Sequence, residues 1–156
     1  MKKIYFSITV AFVTLIFSSC SNKRSNIEAK IADKIKNGCN ENSECTINVK
    51  ELTDFNWDKM YVFKYNASLE DVNKAVGANA GKYTEFMRRI IFTLNNKVVF
   101  NEEQPTNIEG LTEGEIVFDI PDSLTYKSYN ANAAIFLSRT RESNNTTYYE
   151  LTQVHK

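Results

Sequence analysis

Few side chains in this chain are suited to covalent or metal chemistry. His155 is the single histidine among 156 residues, and it sits at the C-terminal end, where order is poorest. A serine or threonine nucleophile needs a base held beside it, and His155 is badly placed for that task. Cys39 and Cys45 enclose Asn-Glu-Asn-Ser-Glu. That spacing is not Cys-x-x-Cys, and no histidine lies nearby to complete a metal site. No glycine-rich phosphate cradle is present. Basic and acidic side chains number 19 each, a net charge of zero, so there is no electrostatic footprint for nucleic acid. The expectation is a protein with no catalytic residue, no metal and no cofactor.

Carboxylates are the remaining reactive candidates. Between Lys97 and Lys127 there is no basic residue but seven acids: Glu102, Glu103, Glu109, Glu113, Glu115, Asp119 and Asp122. They read either as an acidic face for a partner or as solvated loop and strand faces. They lack the regular spacing around glycine of a calcium loop. Glu109, Glu113 and Glu115 are candidate partner contacts, together with Trp57. That lone tryptophan reads either as an anchor at an interface or as core. Arg88 and Arg89 fall on opposite faces of a predicted strand, so one surface can use only one of them. Paired carboxylates could do acid–base work if the fold brought them together with raised pKa values in a cleft.

The N-terminus carries an address. Lys2 and Lys3 precede an apolar run from Ile4 to Phe17, and Ser18-Ser19-Cys20 follows. This is the layout of a cleaved export signal over residues 1–19, and it is too short to span a bilayer. The site resembles a bacterial lipobox, in which Cys20 becomes the lipid-bearing first residue, although Phe17 stands where leucine is usual. Cleavage there removes Lys2 and Lys3 and no acid, leaving 17 basic against 19 acidic side chains. Residues 20–26 read as a polar tether, and residues 27–156 as one domain. No aspartate follows Cys20, which by resemblance to enterobacterial lipoproteins favours the outer membrane. In an exported chain, Cys39 and Cys45 pair as a disulfide.

The patterning yields an α+β fold with a mainly antiparallel sheet of six to seven strands and two short helices. Ile27, Ile31 and Ile35 mark one helix over Ile27–Asn37, capped by Asn26 and ended at Gly38. Ser68–Val76 forms the second, with a Ser68–Asp71 capping box and Gly77 as its stop. Strands are expected over Thr46–Lys50, Lys59–Tyr65, Glu85–Leu94, Val98–Glu102, Glu115–Ile120, Ala133–Arg141 and Thr146–Val154. In Lys59–Tyr65, aliphatics fall on one side and aromatics on the other, implying burial on both faces. A two-residue turn at Asn95-Asn96 would set Leu94 opposite Lys97 and Phe92 opposite Val99, whereas a three-residue loop, the preferred reading, would put Ile90, Phe92, Leu94, Val98 and Phe100 on one face. The last hairpin turns around Ser143-Asn144-Asn145.

The run Asp54-Phe55-Asn56-Trp57-Asp58-Lys59-Met60-Tyr61-Val62-Phe63-Lys64-Tyr65 resembles a feature of a group of small, uncharacterised bacterial lipoproteins. Asn107-Ile108-Glu109-Gly110 and Gly114-Glu115-Ile116-Val117-Phe118 fit the same pattern. The resemblance implies an exported, lipid-anchored α+β domain, and it brings no activity or site. A fainter likeness to small outer-membrane assembly lipoproteins rests on the Ser-capped helix before a hairpin. The sequence therefore points to a non-enzymatic, lipid-anchored module of the bacterial envelope that binds another envelope protein. Two alternatives stand beside it. One is a cleft for a small envelope ligand such as a glycan, lipid or cation. The other is an inhibitor or immunity lipoprotein.

Overall fold

The computed structural model describes residues 26–39, 44–107 and 109–154. Cys20 and the expected export signal over residues 1–19 lie outside them, as does His155. The chain runs α1 (Ile27–Gly38), β1 (Cys45–Asn48), α2 (Val49–Leu52), β2 (Lys59–Phe63), α3 (Leu69–Val76), β3 (Met87–Leu94), β4 (Lys97–Pro105), β5 (Glu115–Phe118), β6 (Tyr126–Asn130), β7 (Ile135–Ser143) and β8 (Thr146–Gln153). The α+β class stands. The strands divide into two four-stranded sheets, ordered β1-β7-β8-β5 and β4-β3-β2-β6. All pairings are antiparallel except β5 with β8.

Two hydrophobic clusters explain this layering. The larger gathers Ile27, Ile31 and Ile35 of α1, Met60 and Val62 of β2, Ile90 and Phe92 of β3, and inward residues of β1, β5, β7 and β8. It lies between the sheets, with α1 touching both edge strands of the β1-β7-β8-β5 sheet. The smaller joins Tyr61, Phe63 and Ile91 to Val72 and Val76 of α3. The second sheet is thus covered on both faces, as the two-sided pattern of β2 requires. Alternation along β2 and β3 sends successive side chains to different clusters.

Local chemistry sets the ends of the helices. The Asn26 side chain accepts from the Ala29 amide at 2.9 Å. Ser68 and Asp71 form the reciprocal capping box, and Gly77 ends α3 at φ 71°, a left-handed conformation suited to glycine. The one-turn helix α2 interrupts the alternation expected to continue through Lys50, because the Asn48 side chain caps it at the Lys50 amide.

The β3–β4 hairpin corrects its expected register. Its turn has two residues, Asn95 and Asn96, with φ values of 51° and 60°, the conformation that asparagine tolerates in tight hairpins. Leu94 therefore faces Lys97, and Thr93 faces Val98. A bulge then shifts the ladder, so that Phe92 still opposes Phe100. Phe100 packs at the larger cluster while Val98 packs at the smaller one, so Val98 leaves the predicted face. The β7–β8 hairpin repeats the device, with Asn144 and Asn145 at φ 50° and 60°.

Strand β6 is additional to the expected set. Tyr126-Lys127-Ser128-Tyr129-Asn130 carries little apolar alternation, yet it pairs along the whole of β2 at the sheet edge. Cys39 and Cys45 are joined as a disulfide, with Cα atoms 5.7 Å apart. It ties the end of α1 to the start of β1. Replacing both cysteines by alanine should lower the unfolding free energy by roughly 2 kcal/mol in denaturant titration, with far-UV circular dichroism unchanged.

Candidate functional site

A cleft of about 350 Å³ opens beside the ends of β2 and β3. Val62 and Phe63 come from β2, Val117 and Phe118 from β5, and Leu111 and Ile120 from the flanking loops. Against these apolar walls stand Arg88, Glu28 and Glu115. The volume lies at the small end of the range for ligand sites, and mostly apolar walls with few polar groups are typical of them.

Each polar residue is placed by a different element. Arg88 lies at the start of β3 on the face toward α1. Its Nη1 and Nη2 each donate to Glu28 at 3.3 Å, and Nη1 also donates to the Ile116 carbonyl at 2.6 Å. Its Nε stands 3.4 Å from Glu115 Oε1. The other Glu115 oxygen accepts from both the amide and the hydroxyl of Thr112 at 2.9 Å. Glu102, from β4, accepts from the Ile27 amide at 2.6 Å and so caps α1 from across the fold. Its negative charge suits the positive end of that helix.

Burial pushes the Glu28 carboxyl up to about 7. Arg88 opposes the shift, while Glu102 and Glu115 add to it by repulsion. Arg89 points to the other face, as its neighbour requires. It pairs with Glu103 at 3.2 Å and covers the ring of Tyr83 at 4.0 Å. Burial raises the Glu103 carboxyl, but hydrogen bonds from Thr84, Lys82 and Arg89 outweigh it and hold the group below its usual range.

The seven acids between Lys97 and Lys127 disperse. Glu115 enters the cleft, Glu102 caps a helix, and Glu103 pairs with Arg89. Asp122 is exposed and meets Lys64 at 3.4 Å. Glu113 accepts from the Thr147 amide at 2.9 Å, and Glu109 is exposed with its amide held by Asn107. Of the candidate partner contacts, only Glu115 lies in the cleft. Trp57 is 6% exposed, donates from its indole to Thr53 at 2.9 Å and packs edge-on against Phe92. It packs in the larger hydrophobic cluster. Sequence reasoning missed Glu28. Its only sequence signal was an acid in the first turn of an amphipathic helix, which is ordinary helix chemistry.

Among the described residues, no helix is long and apolar enough to cross a membrane. Compared with protein-family models, curated proteins and solved structures, the chain shows no match.

The raised Glu28 carboxyl has a consequence for stability. Its folded pKa, about 7, exceeds the ordinary 4.5, so the folded state binds the extra proton between those values. Stability then falls as pH rises through that window and levels off above it. The lowered Glu103 carboxyl acts in the opposite sense below the ordinary value. Melting temperatures should decline from about pH 5 to about pH 7.5 in the parent protein. The Glu28→Gln variant should lose most of that decline.

Proposed function

We propose that the protein is a lipid-anchored binding module of the bacterial envelope, and that its cleft holds a small ligand. The observation that carries this reading is the joining of apolar walls to one polar end. The sequence favoured a protein partner over a small ligand, and the cleft supports the small ligand. The export signal and Cys20 support the anchor, and the disulfide fits an oxidising compartment.

Two experiments test this. Parent protein should partition into detergent with a mass increase on Cys20, and Cys20→Ser should leave it unlipidated. Protein purified from solubilised envelopes should carry a low-mass ligand in native mass spectrometry. Val117→Trp, which fills the cleft, should lose that ligand. A single protein partner retained by both forms would favour the protein-binding reading instead.

One observation favours a second reading, an acid–base enzyme. Glu28, with its raised pKa, shares the cleft with Glu115, and environments that separate two carboxylates can define an acid and a base. Against it, both Glu28 oxygens face Arg88, whereas a general acid must aim its proton at substrate. Turnover of a glycan panel, lost in both Glu28→Gln and Glu115→Gln, would replace the binding reading.

A further inference from the structure

We infer that the cleft selects a small ligand with an apolar body and a primary ammonium head, with Glu28 as the acceptor for that head. The inference rests on the reading of the cleft as a ligand site.

The hydrogen-bond inventory at the polar end sets the class. A guanidinium has five donors. In Arg88, Nη1 and Nη2 donate to Glu28 and Nη1 also to the Ile116 carbonyl, while Nε stands 3.4 Å from Glu115 Oε1 with no hydrogen-bond partner among the described residues. Glu28 holds the Nη1–Nη2 edge of Arg88 and Glu115 stands beside Nε, so an anionic head would meet the charge of two carboxylates there. Glu115 Oε2 accepts twice from Thr112, and its Oε1 stands 3.4 Å from Arg88 Nε. Each Glu28 oxygen receives one long contact from Arg88, and a carboxylate oxygen can accept two. Each oxygen therefore keeps one free acceptor site, on a residue that lines the cleft. Thr106 lines the same cleft, and its buried hydroxyl has no hydrogen-bond partner among the described residues.

Charge agrees with the inventory. The groups facing Glu28 are Arg88 from β3, Glu102 from β4 and Glu115 from β5. Two carboxylates thus share one guanidinium, and the charge of Glu102 repels that of Glu28. The other cations of the lining are engaged elsewhere: Lys64 at the rim with Asp122 and the Pro121 carbonyl, and Arg89 with Glu103 on the opposite face. A buried carboxylate short of positive charge takes up a proton, and an ammonium would supply that charge instead. The cleft volume, at about 30 Å³ per water-sized group, suits a ligand of roughly ten non-hydrogen atoms.

The test uses three probes of matched length, octylamine, octanol and octanoate, with titration calorimetry and amide chemical-shift mapping on the folded domain. Octylammonium should bind at least about tenfold more tightly than octanoate and perturb Val62, Val117 and Phe118. Its affinity should rise with pH up to about 7, as Glu28 ionises, and then level off. Glu28→Gln should weaken octylamine about tenfold and abolish that pH dependence, while octanol binding stays unchanged and reports an intact cleft. Octanoate or octanol binding as tightly as octylamine would overturn the ammonium class and leave the cleft as a ligand site. Failure of all three to perturb the cleft would overturn both. Octylamine binding that Glu28→Gln leaves intact would overturn the role of Glu28.

Discussion

The Arg88 guanidinium is the point at which separate parts of the fold meet. It starts from β3 in one sheet and reaches the Ile116 carbonyl and Glu115 of β5 in the other. It also holds Glu28 in the first turn of α1. Removing such a cation would leave two enclosed carboxylates uncompensated, a far larger penalty than losing one partner of an exposed pair. The arrangement has an electrostatic surplus. Two acids on one base, with Glu102 nearby, cannot all be ionised at ordinary cost, and Glu28 gives way. The same excess of acceptors that depresses stability at neutral pH creates the polar end of the cleft.

What was legible in the sequence follows from how local each determinant is. Ile27, Ile31 and Ile35 declared their helix by spacing. Ser68, Asp71 and Gly77 declared the ends of another by capping chemistry. The two faces of β2 were readable because alternation alone decides them. The β3–β4 register was not, because two opposite effects act in series. A two-residue turn slips Val98 to the other face, and the bulge restores Phe100. Strand β6 was hidden because its pattern is polar and its pairing with β2 is set by the tertiary fold.

The site was less legible than the fold. Arg88 and Glu115 were visible as residues, and the opposite facing of Arg88 and Arg89 followed from strand geometry. Their meeting with Glu28 did not, because it joins positions sixty residues apart in the chain. The acidic segment looked collective only in one dimension. Folding assigns its members to a helix cap, a cleft, a buried pair and the solvent. The tryptophan, a candidate anchor, is held inward by Thr53 and Phe92.

The strand order carries a consequence for the timing of assembly. β2, β3 and β4 follow one another closely, so one sheet can begin from local pairings. The other cannot. β1 pairs with β7, near the far end of the chain, and β5 joins only the last strand, β8. That sheet closes when nearly the whole polypeptide is present, and long-range pairings of this kind are slow to form. Until then the isoleucines of α1 lack the part of their cluster that β1, β5, β7 and β8 supply. The Cys39–Cys45 bridge spans only a short stretch and needs nothing from the C-terminal half, so it can close while the sheet it borders is still waiting for its partners.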